Sequence, residues 1–166
     1  MSAPKFLKRD ATSGKVTEVI ATESGPASEV VVSTTSGGTI DPTLLPVSGA
    51  STAVVGETIT AGAFVYVKAS DSKLYNAVWA SGGNQAIGFV LASYSALDTG
   101  TFYDGGANTA LTGLTVGSRY YGDKTTAGGA VVTVPVGAGV LSQFLGTALS
   151  TTAIEVDLQD AIVLAS

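Results

Sequence analysis

The chain has 166 residues and neither histidine nor cysteine, which removes the two side chains most used for catalysis and metal binding and rules out disulfides and thiolate zinc sites. It is 45% apolar and 13% charged, with 21 glycines and a net charge of −5, a balance that argues against nucleic acid as a partner because phosphate binding needs clustered cations. No apolar run approaches the roughly 20 residues that span a bilayer and the amino terminus lacks a secretory apolar stretch, so no membrane is expected and synthesis is expected in a cytoplasm.

Charge is unevenly placed along the chain. Lys5, Lys8, Arg9 and Lys15 are four of the eight bases and Asp10 one of the thirteen acids, so the first fifteen residues carry +3 and residues 16–166 carry −8. An arm opposite in sign to the body suits either a solvated tail or a docking strand drawn to an acidic neighbour. Lys5, Phe6, Leu7, Lys8 and Arg9 are the residues that would make such a contact. The alternation in Lys5-Phe6-Leu7-Lys8 and in Val16-Thr17-Glu18-Val19-Ile20-Ala21, with turn formers Thr12, Ser13 and Gly14 between, predicts two short strands joined by a turn. Residues 29–34, Glu-Val-Val-Val-Ser-Thr, are a further strand candidate.

Residues 34–52 are Ser, Thr and Gly with two prolines, around one apolar knot at Ile40-Asp41-Pro42-Thr43-Leu44-Leu45-Pro46. Proline withholds a ladder hydrogen bond, so this stretch reads as a connector with a small plug, or as one helical turn capped by Asp41. The expected organisation is an arm and connector over 1–52 and a domain over 53–166.

Beyond it, apolar segments of four to eight residues recur between turn signals at 63–68, 86–91, 99–103, 119–121, 130–134, 144–149 and 154–158. No helical stripe competes with them. This pattern predicts an all-β fold, an antiparallel β-sandwich or barrel preceded by an N-terminal extended arm. Asp71-Ser72-Lys73 reads as a hairpin tip and 125–129 as a glycine-bearing turn. Gly88 and Gly146, inside strands, mark bulges or close backbone approaches.

Few residues offer chemistry. Asp98, Asp104, Asp123, Asp157 and Asp160 are the available carboxylates, but Glu155 and Asp157 alternate with Ile154, Val156 and Leu158 as a half-exposed strand requires for folding alone. Asp104-Gly105-Gly106-Ala107-Asn108 has oxygen ligands in a glycine-rich loop without the repeated acids of a calcium site, and reads as a turn. The glycines of 113–117 lack the lysine and helix of a phosphate loop. Among the aromatics Tyr66, Tyr75, Trp79, Tyr94, Phe102, Tyr103, Tyr120 and Tyr121, Trp79 is either core, subunit contact or a sugar platform. No catalytic residue, cofactor or metal is expected, and the chain is not read as an enzyme.

The segments Ile59-Thr60-Ala61-Gly62-Ala63-Phe64-Val65, Ala86-Ile87-Gly88-Phe89-Val90, residues 111–121, residues 144–152 and Ile154-Glu155-Val156-Asp157-Leu158 follow one another in an order that resembles a β-rich module of tailed-bacteriophage structural proteins, found in capsid decoration (cement) proteins and in head or tail fibres. The knot at 40–46 is similar to the connector that precedes such modules. The resemblance implies a virion protein, synthesised in the host cytoplasm, that binds the outer capsid surface through neighbouring major capsid protein subunits, as a homotrimer whose closure hides strand edges. With nothing expected after Ser166, no receptor-binding tip is foreseen, which favours decoration. The alternative is the base of a head or tail fibre, or an adhesin module binding host surface glycans.

Overall fold

A computed structural model describes residues 6–9, 16–19 and 49–165. The expected strand at 29–34 and the knot at 40–46 lie outside the described residues. The chain divides into two compact units, Met1–Pro46 and Val47–Ser166. In the first, β1 (Phe6–Arg9) and β2 (Val16–Val19) pair antiparallel, from Phe6 opposite Val19 to Arg9 opposite Val16. The two strands pair as the alternation predicts, and the expected turn at 12–14 lies outside the described residues.

The second unit is all-β, with no helix among the described residues. Its first sheet collects β3 (Ala50–Val54), β4 (Phe64–Lys68), β5 (Lys73–Asn76), β6 (Gly88–Phe89) and β7 (Thr99–Tyr103) in the order β3-β7-β6-β4-β5, all antiparallel. The β4–β5 hairpin turns at the expected tip, with Lys68 opposite Lys73 and Ser72 at φ 57°. At the end of β3 the chain changes sides. The Val55 amide donates to the Asp98 carbonyl at 2.8 Å, and the next amide, Gly56, donates to Leu74 of β5 at 2.9 Å. One parallel bridge between Val55 and Leu74 thus brings the two outer strands together at a single point, without closing a barrel.

The second sheet holds β8 (Gly106–Asn108), β9 (Arg119–Gly122), β10 (Ala130–Val131), β12 (Phe144–Ala148) and β13 (Ile154–Val156), ordered β10-β9-β12-β13-β8. A separate pair joins β11 (Leu141–Ser142) to β14 (Ile162–Val163). In β12 the register slips between Phe144 and Gly146, the bulge that the glycine foretold. Gly146 has φ 153°, and a Cβ there would lie 2.1 Å from the Glu155 carbonyl oxygen. Gly88 serves the other expected purpose, bringing its backbone against Tyr103.

Two cores follow from the pleat. Phe64, Phe89 and Tyr103 share a register row, with ring centroids at 6.3 and 5.7 Å, and meet Tyr120, Leu145, Ile154 and Val156 of the second sheet around Trp79. Packing one sheet face on another is the arrangement of a sandwich. Val65 and Leu74 point the other way and join Val55, Ile59, Ala63 and Val90 in a smaller cluster inside the curl of the first sheet, with Phe102 against it. Complete burial of a Leu or Val side chain stabilises by roughly 1.5–3 kcal/mol.

Three expected segments end differently. The strand expected over 130–134 stops at Val131, because the chain bends away ahead of Pro135. The strand expected over 86–91 keeps two residues. The presumed turn at 104–108 becomes β8 from Gly106 onward, since β13 supplies a partner for its backbone.

Candidate interaction surface

Trp79 does not form a platform. It is fully buried, and its indole Nε1 donates to Gln143 Oε1 at 2.9 Å. The same oxygen accepts the Ala86 amide at 2.8 Å, while Gln143 Nε2 donates to the carbonyls of Ala86 at 2.9 Å and Gln159 at 3.0 Å. Two donor and two acceptor positions of one buried amide are therefore occupied, tying together segments on both sheets. Opposite the indole lies Gly122, where a Cβ would meet the ring at 2.1 Å. Sequence reasoning missed Gln143, whose only signal is a glutamine one residue ahead of an apolar strand.

The carboxylates do not converge. Asp98 accepts the Ser95 amide at 2.7 Å, Asp157 accepts Gln159 Nε2 at 2.9 Å, and Asp123 accepts the Thr125 amide and hydroxyl at 2.8 and 2.7 Å, each within its own turn. Burial alone would raise the Asp123 carboxyl, but the hydroxyl and amide of Thr125, joined by those of Thr126, outweigh it and hold the group below its ordinary value. Among the described residues no three acidic side chains gather as a metal would require. Asn108 is buried, its Nδ2 donating to the Gly62 carbonyl at 2.9 Å and its Oδ1 accepting the Ala110 amide at 3.3 Å, so the amide is committed within the fold.

Most aromatics are likewise internal. Tyr94 and Tyr120 accept amides from Thr101 at 3.1 Å and Thr115 at 2.8 Å through their hydroxyls. Two half-buried pairs remain at the surface. Tyr66 and Tyr75 lie 6.0 Å apart on the β4–β5 hairpin, with Lys68 Nζ 5.1 Å from the Tyr75 ring. The Tyr75 hydroxyl donates to Asp71 at 2.7 Å, which lowers the Asp71 carboxyl and raises the tyrosine. The second pair is Tyr121 of β9 and Phe144 of β12, edge to face at 5.7 Å, with the Arg119 guanidinium 4.5 Å from the Phe144 ring centre.

Large apolar side chains are also exposed. Leu97 is 73% exposed and sits at φ 76°, a conformation that costs a side chain with a Cβ about 1–2 kcal/mol. Val132, Val134 and Val136 follow β10, at 50%, 45% and 67% exposure, and Ile162 and Val163 form the outlying β14. Of the basic arm, Phe6, Leu7, Lys8 and Arg9 make up β1, and Lys5 lies outside the described residues. No helix among the described residues is long and apolar enough to cross a membrane.

No family model matches this chain, and neither the curated proteins nor the solved structures yield a match.

Proposed function

We propose that this chain is a structural virion protein that decorates the outer surface of a phage capsid and cements neighbouring major capsid subunits, as a homotrimer and by contacts alone. The observation that carries the reading is the pairing of few charges with many exposed apolar side chains. Residues 49–165 hold four bases and eight acids, while eleven large apolar residues stand exposed, Leu97 in a conformation that local energetics oppose. Surfaces of this kind are satisfied by burial against another protein. A decoration protein that binds only the assembled shell stabilises it by linkage. The basic arm, with Lys5, Phe6, Leu7, Lys8 and Arg9, would engage an acidic patch of a shell subunit.

The test is to mix the purified protein with expanded shells that lack it. Co-sedimentation with a fixed copy number and a higher shell disruption temperature are expected, and sedimentation equilibrium of the free protein should give three times the chain mass. A monomer that leaves shell stability untouched would falsify the reading. The glycan-binding alternative has lost the sugar platform that Trp79 would offer, since that indole is buried.

A further inference from the structure

Alternate residues of β9 direct their main-chain groups to opposite neighbours. The Ser118 carbonyl accepts from Ala148 at 3.0 Å and the Gly122 amide donates to Gln143 at 3.1 Å, both toward β12, whereas the Asp123 amide donates to Gly129 at 3.1 Å on the β10 side. By parity, Arg119 and Tyr121 face β10. Val131 stands opposite Tyr121 and ends β10, so the position opposite Arg119, which Thr133 would fill in a continued ladder, is vacant. The chain leaves as an exposed run, Val132 to Val134, and returns where Lys124 Nζ donates to the Val136 carbonyl at 2.7 Å.

Side chains on the same margin have a consistent chemistry. Val131, Tyr121 and Phe144 form one cross-strand row on the outer face, and the Arg119 guanidinium sits over the Phe144 ring. A guanidinium stacked on an aromatic ring keeps its N–H edge open and loses little freedom on pairing with a carboxylate. Two of the four cations of residues 49–165, Arg119 and Lys124, are on this margin. Asp123 is engaged by Thr125. Glu155 shares the Arg119 row with Thr147 between them, its main chain about 10 Å away by two strand spacings, while the Arg119 guanidinium is held at the Phe144 ring.

We propose that the β9–β10 margin is a docking site for an extended, carboxylate-bearing segment of a partner protein. The segment continues the ladder beside Arg119, places its acid on the guanidinium and lays its apolar side chains on Tyr121 and Val132. The main-chain contact is one residue long, because Tyr121 and Gly122 already pair with β10, and the carboxylate–guanidinium pair fixes the register. It stands apart from the decoration reading, because peptide binding is measured without shells.

The test titrates the full-length protein with two synthetic peptides, an alternating valine–threonine heptamer with a central glutamate and the same peptide with lysine in its place, followed by amide NMR and calorimetry. The glutamate peptide should move the amides of Arg119, Tyr121 and Val132–Val134 and bind at least about tenfold more tightly than the lysine peptide, and Arg119→Gln should remove that preference while the spectrum stays folded. Equal affinity for the two peptides, shifts confined to another surface, or no binding would overturn the proposal. So would self-association that Val132→Lys abolishes, since that would assign the margin to a second copy.

Discussion

The two five-stranded sheets differ in how many faces they commit. In the first, Phe64 and Phe89 point toward the second sheet while Val65 and Leu74 fill a core of their own, so both faces are covered. The second buries Tyr120, Leu145, Ile154 and Val156 on one face and leaves Arg119, Tyr121, Phe144 and Thr147 on the other, partly in solvent. Most apolar side chains of the first sheet are taken up by these cores, although β3 and the Tyr66–Tyr75 pair stay at the surface. The second has a face to spare, which is why substitutions on its two faces should separate stability from recognition.

The largest effect is expected at the glutamine that joins the sheets. Gln143→Leu leaves the indole N–H, the Ala86 amide and two carbonyls without partners. At about 1–3 kcal/mol for each buried polar group left unsatisfied, the loss should reach roughly 3 kcal/mol or more, read as a lower urea midpoint at constant slope. A loss under about 1 kcal/mol would mean that the network contributes little. On the same inner face, Gly122→Ala presses a methyl against the Trp79 ring and should cost about 1–3 kcal/mol, accompanied by a change in tryptophan emission.

On the spare face, Tyr121→Ser should shift the midpoint by no more than about 1 kcal/mol, the worth of an edge-to-face aromatic contact, and comparable losses at Tyr121 and Gly122 would erase the distinction between the faces. Leu97→Gly should leave stability unchanged or raise it by up to about 1 kcal/mol, since relief of the positive φ opposes the entropy of glycine. Under the decoration reading, shell affinity falls in the same variant, and the pair of measurements sets strain against contact.

The smallest effect is a pH dependence at the β4–β5 tip. Tyr75 holds the Asp71 carboxyl below its ordinary value, so this contribution is present above the unfolded aspartate value near ~3.9 and is lost as pH falls through the lower folded one. Hydrogen bonding to Asp71 raises Tyr75, so the alkaline limb survives below the unfolded tyrosine value near ~10 and disappears as pH rises through the folded one. The Lys73 amide, which donates to Asp71 at 3.2 Å, reports both limbs by NMR, and Asp71→Asn should abolish the acid limb.

What could be read in the sequence is what local pattern governs. Phe64–Lys68, Thr99–Tyr103 and Phe144–Ala148 are apolar, β-branched or aromatic runs between turn formers, and they form strands where expected. The alternation of 154–158 correctly puts Ile154 and Val156 inside and Glu155 and Asp157 outside. Failures share a cause in distance along the chain. Gln143 meets Trp79 across 64 residues, β8 is a strand only because β13 lies beside it, and β10 stops short although Val132 and Val134 favour extension as much as Val131 does. The pairing of Arg119 with Phe144 depends on the register between β9 and β12, which no window of sequence contains.

The bridge at Val55 has a consequence for crowding. By handing its main chain from β7 to β5 within one residue step, the chain covers the β5 margin at Leu74, and a covered margin offers a neighbour little to zip onto. In a crowd of copies, strand pairing at that margin is thereby opposed, while β3 stays the other edge of the sheet.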